Sequence, residues 1–282
     1  MDLGPGTKPE DYLYLDDKWG IRAVPTSGRV FFYVDGPFDG VDDGSINDIM
    51  FPWARFRQEG KPNFMLGDYW GVPEAWKDCK VFKQSCHKDS PYTPFFYAVM
   101  FDHEPKPISE AKYHAGFHGY LNSHPCRQQI PAALDYSRCY LRATDKLYWS
   151  HTEDEQKEMR QAYLSLMDDT KFVLCPRGKG LNSIRFFEAL RMGRIPVLIS
   201  DNAKLPMDSF VDWDEIIVRV PEDDVASLMD RIESWPQDHE VASIMARKLS
   251  MEYFSNVNKY VQWCGVLSAC NDYNAVVAEQ PV

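Results

Sequence analysis

The stretch from Lys171 to Asp201, KFVLCPRGKGLNSIRFFEALRMGRIPVLISD, constrains the fold more than any other part of the chain. It opens on an apolar run, Phe172-Val173-Leu174-Cys175, that reads as a buried strand. A polar turn with two glycines follows, Pro176 to Ser183. From Ile184 to Met192 the apolar residues Ile184, Phe187, Ala189, Leu190 and Met192 recur near helical spacing. Gly193 is placed to end that helix, and Ile195-Pro196-Val197-Leu198-Ile199 reads as the next buried strand. Strand, loop, helix and strand in this order predict an α/β protein with a parallel sheet. Ligands of such sheets sit at the carboxyl ends of the strands.

The turn has the chemistry to hold a diphosphate. Gly178 and Gly180 allow close backbone approach, and the N–H groups that open a helix carry partial positive charge. Arg177, Lys179 and Arg185 place three cations within nine positions of a chain whose net charge is −11. Arg offers phosphate oxygens a planar fork, whereas Lys acts as a mobile point charge. Ser183 is placed as the helix N-cap and as a phosphate hydrogen-bond donor. Glu188 lies one turn into the helix, and a lone acid beside a phosphate cradle suits a ribose diol. The same residues admit a plainer reading, a solvated basic turn with Glu188 paired to Arg185 three positions earlier. The glycine spacing matches neither the dinucleotide fingerprint nor a P-loop.

Charge and cysteine usage narrow the class. A net charge of −11 argues against nucleic acid or an anionic membrane as the main partner. Seven cysteines at irregular spacings fit neither a disulfide framework nor a zinc site. No uncharged run is long enough to cross a bilayer as a helix, and the acidic N-terminus, MDLGPGTKPEDYLYLDDKWG, is no signal peptide. A soluble, cytoplasmic protein is expected, its 282 residues holding one large or two modest domains.

The run FVLCPRGKGLNSIRFFEALRMGRIPVLISD, followed by Leu205-Pro206 and Asp212-Trp213, resembles the signature of exostosin-type glycosyltransferases. Weaker similarity reaches back to Tyr113 and on to about Leu249. The resemblance implies an inverting, sugar-nucleotide-dependent enzyme of GT-B type. That fold has two facing Rossmann-like domains and a C-terminal helix crossing back, here divided at 1–106 (acceptor side) and 107–282 (donor side). It implies that Arg177, Ser183 and Arg185 face the donor phosphates and Glu188 the ribose; Lys179, Gly180 and Asn182 of the same turn are further candidates for donor binding. It also places His118 near the donor, although a loop histidine satisfied within the protein is an equal reading. In size and character the chain is similar to the short exostosin-like proteins of chloroviruses. That likeness points to UDP-xylose as donor and a fucose-containing glycan as acceptor. Familiar members are membrane-anchored, and a protein without such an anchor is expected here.

In chain order, residues 1–28 read as a polar arm. Val30 to Val34 reads as a strand ending at Asp35-Gly36-Pro37-Phe38-Asp39, and Ile46 to Glu59 as a helix broken near Pro52. A strand is expected at Asn63–Leu66, a helical piece at Glu74–Lys80, a long strand at Pro94–Phe101 and a linker at Glu104–Ile108. The second half alternates. Strands are predicted at Tyr113–Phe117 (with His118-Gly119-Tyr120 as its loop), Cys139–Arg142 and Ile216–Val220. Helices are predicted at Arg127–Leu134, Glu153–Met167, Asp224–Ser234 and His239–Phe254. Thr152 and Glu155 form a capping box for the second of these helices.

An inverting transfer needs a base for the acceptor hydroxyl and positive charge on the departing diphosphate. Acids at strand ends of the first half supply the base, Asp39 ahead of Asp35, with Asp68, Asp102 and His103 as further candidates. Asp42-Asp43 and Asp168-Asp169 read as solvated turn and helix-end residues rather than a metal motif, so metal-independent transfer is expected, with no cofactor beyond the UDP-sugar substrate. Two other classes fit the residues: a non-catalytic glycan- or nucleotide-binding protein, and an α/β enzyme acting on phosphorylated substrates.

Overall fold

The computed structural model describes residues 12–14, 23–25, 64–67, 80–97, 99, 103–146 and 148–254. The chain divides into two compact units, Met1–Phe95 with Ala203–Pro206, and Phe96–Asn202 with Met207–Val282. Asp35, Asp39, Asp68 and Asp102, the strand predicted at Val30–Val34 and the helix predicted at Ile46–Glu59 lie outside the described residues.

In the first unit β1 (Tyr12–Tyr14) and β2 (Ala23–Pro25) form an antiparallel pair, within the stretch that the sequence presents as an arm. β3 (Phe64–Gly67), β4 (Lys80–Lys83) and β5 (Thr93–Pro94) form a parallel three-stranded sheet in that order. Of the long strand predicted at Pro94–Phe101, Pro94 lies in β5, residues 95–97 and 99 stand outside any strand, and residues 98, 100 and 101 are outside the described residues. Pro94 has no N–H to give the ladder, so pairing stops there even though Phe95 and Phe96 are buried. A bridge from His87 to Ala203 and a hydrogen bond from the Lys204 amide to the Cys86 carbonyl (2.8 Å) hold residues 203–206 to this unit.

The second unit alternates strand and helix. Its order is β6 (Tyr113–Tyr120), α1 (Pro125–Ala133), β7 (Tyr140–Thr144), α2 (Glu153–Asp168), β8 (Thr170–Pro176), α3 (Ile184–Arg191), β9 (Ile195–Ile199), β10 (Val218–Val220), α4 (Leu228–Glu233) and α5 (His239–Tyr253). The sheet runs β10-β9-β8-β6-β7 and every pairing is parallel. This explains why β8 and β9 read as continuous apolar runs: helices cover both faces, so alternation is lost. Phe117, Phe172, Leu174, Val197 and Ile199 belong to one buried cluster with Ile130 of α1 and Leu228 of α4.

Several boundaries differ from the sequence reading. His118, Gly119 and Tyr120 complete β6 rather than form a loop, because β6 stays paired with β7 as far as Tyr120↔Thr144. α1 begins at Pro125, after His124 accepts a cap hydrogen bond from the Cys126 amide, and not at Arg127. β10 loses its first two predicted residues, since the 3-10 turn Trp213–Glu215 takes up the Ile216 and Ile217 amides. The helix predicted from Asp224 is a 3-10 turn, Val225–Ser227, running into α4. The capping box of Thr152 and Glu155 forms as the sequence implies, and α2 follows it.

Two devices fix the second unit around α3. After Arg191 the chain closes in a Schellman motif: Gly193 sits at φ 59, its amide bonds the Leu190 carbonyl, and the Arg194 amide bonds the Ala189 carbonyl. Arg194 itself is fully buried. Its Nη2 donates to the carbonyls of Lys106 and Asp168 (both 2.8 Å) and to Asp168 Oδ1 (2.7 Å). Asp169 meets the ammonium groups of Lys106 and Lys112. Asp168 and Asp169 are therefore the centre of an ionic cluster beneath the sheet, not solvated helix-end residues. The stretch predicted as a linker is part of it, through the Lys106 carbonyl.

Candidate functional site

The sheet order has one reversal. From β6 the chain steps to β7 on one side, then returns to β8 on the other side and continues outward to β9 and β10. A crevice outside the carboxyl ends of the strands at such a point is where α/β sheets bind ligands. Here the crevice has a measurable origin. β6 and β8 pair only from Tyr113↔Thr170 to Gly116↔Val173. Beyond that, β6 follows β7 to its end and β8 follows β9 to Pro176↔Ile199, so the two middle strands part.

Arg127, carried by α1, fills the opening. Its Nε donates to the Arg177 carbonyl (2.7 Å), Nη1 to the Tyr120 carbonyl (3.0 Å) and Nη2 to the Pro176 carbonyl (3.0 Å). One guanidinium thus ties together the strand ends that the ladder leaves open. Burial lowers the pKa of Arg127 to about 10, with the charge of Arg185 acting in the same direction, so at neutral pH it remains a cation. Gly178 lies against this clamp: a Cβ there would stand 3.3 Å from Arg127 Nη2, a tight contact.

Arg185, the second residue of α3, is the other cation. Its Nη2 donates to the His118 carbonyl at 2.5 Å, and its Cζ lies 4.6 Å from the centre of the buried Phe117 ring. Arg127 Cζ lies 5.7 Å from the same ring. Among the described residues neither guanidinium is paired with a carboxylate, and Arg185 Nε is buried with no partner. Both line a cavity of about 600 Å³, with the end of β6 and the start of α3 forming part of its wall.

Glu188, one turn further along α3, is 1 % exposed and faces the same cavity. It does not pair with Arg185. Arg160 Nη1 donates to Oε1 (2.7 Å) and Tyr163 Oη donates to Oε2 (2.5 Å), both from α2. Burial, then the Glu188 charge, pushes the Tyr163 phenol well above its ordinary pKa, so it stays a donor. His118 is 5 % exposed and its Nδ1 has no partner. Burial, followed by the charges of Arg142 and Arg185, lowers its pKa to about 4 and keeps the ring neutral near pH 7. Among the described residues the charged groups of the cavity are therefore Arg127, Arg160 and Arg185 against Glu188, three cations to one anion, in a chain of net charge −11. Tyr120, Tyr148 and Met159 add broad apolar surface to the wall.

Of the residues singled out from sequence, His118, Ser183, Arg185 and Glu188 line this cavity. Ser183 holds the N-cap position, but its side chain makes no cap hydrogen bond. Asp35, Asp39, Asp68 and Asp102 lie outside the described residues, and Arg177, Lys179, Gly180 and Asn182 are not among the lining residues. Arg177 Nη1 is 3.5 Å from Glu222 Oε1, Lys179 is exposed, Gly180 is buried, and Asn182 Oδ1 accepts from the Ser183 amide (2.9 Å). Gly119 also lines the cavity and gives space to the Arg185 guanidinium, since a Cβ there would stand 2.7 Å from Nη2. Sequence reasoning missed Arg127, Arg160 and Tyr163. The one signal available for the last two was their i, i+3 spacing on a predicted helix. No group of His, Cys, Asp or Glu among the described residues is arranged to hold a metal ion, and none of their helices is long and apolar enough to cross a membrane.

Residues 61–235 match the family model of the Exostosin GT47 domain. Exostosin-1 of Drosophila melanogaster is 34% identical over 110 residues, which cover 39% of this chain and 14% of that protein. The Exostosin-1 homolog of Caenorhabditis elegans is 40% identical over 75 residues, 27% of this chain and 20% of the worm protein. The aligned stretches thus span a fifth or less of these relatives' own lengths. Among solved structures, the crystal structure of the GtfA/B complex aligns with a TM-score of 0.40 and 12% identity, over 88% of this chain and 54% of that one.

Proposed function

The chain belongs to the exostosin GT47 family, a family of glycosyltransferases, and from that premise we propose that it transfers a sugar from a UDP-sugar to a glycan acceptor with inversion at the anomeric carbon. One observation carries the reading. Two guanidinium groups without carboxylate partners among the described residues, Arg127 and Arg185, share a cavity at the switch point of the sheet with a buried acid, Glu188. A nucleoside diphosphate presents the matching chemistry, with anionic oxygens for the cations and a ribose diol for the acid.

In this reading Arg185 binds the diphosphate through its free Nε–H, supported by Arg127 and by Ser183, and Glu188 accepts the ribose hydroxyls. Arg177 and Lys179, on the turn before α3, add long-range attraction, and neutral His118 borders the donor. The bond from the anomeric carbon to the diphosphate oxygen breaks, and its electron pair leaves with the diphosphate, whose growing charge the guanidinium groups meet without a divalent cation. The acceptor oxygen attacks from the opposite face, and its proton passes to a carboxylate base, for which Asp39, then Asp35, is the proposed residue. We extend the proposal to a GT-B arrangement with the donor side in residues 107–282. Xylose is the proposed sugar, and a fucose-containing glycan the proposed acceptor.

Calorimetric titration with a panel of UDP- and GDP-sugars, followed by transfer assays with and without chelator, tests this directly. Binding of one UDP-sugar, retained in chelator and weakened about tenfold or more in Arg185→Ala, is the expected result. Failure of every nucleotide sugar to bind would remove the reading.

A further inference from the structure

The carboxylate of Glu188 is engaged before any ligand arrives, and both donors come from one face of α2. Arg160 and Tyr163 stand three residues apart, so they project side by side from that helix. The first holds Oε1 at 2.7 Å and the second holds Oε2 at 2.5 Å. Tyr163 is also the meeting point of the other site groups. The Cζ atoms of Arg160 and Arg185 lie 5.5 and 5.6 Å from its ring centre, and the His118 ring lies 5.7 Å away.

This geometry settles which role the acid can play. An ionised carboxylate is an acceptor only, with about four lone-pair sites on its two oxygens. A guanidinium on one oxygen and a phenol on the other occupy one site on each and fix the plane of the group. One acceptor site per oxygen is left, which suits two adjacent hydroxyls. We propose that Tyr163, together with Arg160, is a positioning residue that fixes Glu188 as a two-oxygen acceptor for the vicinal diol of the nucleotide ribose. This rests on the reading of the cavity as a nucleoside diphosphate site.

The test compares UDP with 2′,3′-dideoxy-UDP on the full chain by calorimetry. The wild-type protein is expected to bind UDP about tenfold tighter or more, the size of a charged hydrogen bond. Tyr163→Phe keeps the ring and removes the donor. It should weaken UDP about tenfold while moving the affinity for the dideoxy compound less than about twofold. Arg160→Gln, on a side chain that is 31% exposed, is the second variant and should show the same selective loss even if Tyr163→Phe folds poorly. Equal weakening of both ligands, or no weakening of either, in Arg160→Gln and in any folded Tyr163→Phe would overturn the positioning role. Wild-type protein that binds both ligands alike would show that Glu188 does not receive the diol, and the proposal would fall with it. Wild-type protein that binds neither would defeat the nucleotide reading itself.

Discussion

Arg185 reaches the carbonyl of His118 at 2.5 Å only because the next residue, Gly119, has no side chain in the way. A methyl on Gly119 would stand 2.7 Å from Arg185 Nη2, well inside normal packing distance, so the guanidinium would have to shift, and at φ 156 a side chain would also strain the backbone. Gly119→Ala is therefore expected to weaken UDP binding about tenfold, with Arg185→Ala weakening it by tenfold to a hundredfold. The double variant should bind no worse than Arg185→Ala alone, since the glycine acts through the arginine. Additive losses, measured by calorimetry, would mean that Gly119 acts by another route.

Arg127→Lys separates charge from geometry. Lysine keeps the positive charge but cannot reach three carbonyls with a rigid fork. At least one of the Tyr120, Pro176 and Arg177 carbonyls would lose its partner where β6 and β8 part. A stability loss of about 2 kcal/mol in urea unfolding is expected, with UDP affinity falling despite the unchanged charge. A lysine variant equal to wild type in both measurements would show that the gap between the strands closes without the clamp.

The ionic cluster at the opposite end of the sheet should behave in the reverse way. Arg194→Met removes a buried guanidinium and strips the Asp168 carboxylate of its nearest cation. Breaking a buried pair from one side typically costs about 3–5 kcal/mol, whereas removing both charges costs far less. The urea midpoint should drop in Arg194→Met and recover in part when Asp168→Asn is added. UDP affinity of the folded protein should not change, because Arg194 precedes β9 and the cavity lies beyond the opposite ends of the strands. Loss of binding at full folding would place the cluster in the site.

These contrasts mark what the residues alone make legible. β8, α3 and β9 follow one another directly, β9 and most of β8 are buried, α3 is buried from Phe186 to Leu190, and the helix ends on a glycine that the left-handed turn requires, so local pattern and tertiary structure agree. The four wall residues found from sequence all lie at the end of β6 or on the first turns of α3. Arg160 and Tyr163 were hidden because their partner lies 28 and 25 residues away, and i, i+3 spacing does not say what a helix face meets. Arg127 was hidden for a different reason. Its partners are backbone carbonyls exposed by a parting of strands, and no side-chain pattern records that. Asp168 reads as solvated until Arg194, 26 residues on, is folded beneath it. The short strands β1, β2 and β4 carry too few residues for a period to show.

The last expectation concerns pH. In the folded protein the His118 pKa is about 4, against an ordinary 6.5 in the unfolded chain, chiefly because burial disfavours the charged ring. Between those values the unfolded chain binds a proton that the folded protein refuses. The contribution is therefore fully present above pH 6.5 and is lost as pH falls toward 4, with a slope of up to about 1.4 kcal/mol per pH unit. His114 and His124 are lowered as well, each first by burial, and they steepen the same limb. His118→Gln removes one titrating group from a ring whose Nδ1 has no partner to lose. Urea unfolding of wild type and variant at intervals from pH 7 to pH 4 should show the variant's slope smaller by about one proton. Parallel slopes would mean that the folded protein accepts a proton on His118 near its ordinary pKa. The ring would then count as a further cation of the cavity below neutral pH, and its charge would strengthen diphosphate binding as the solution is acidified.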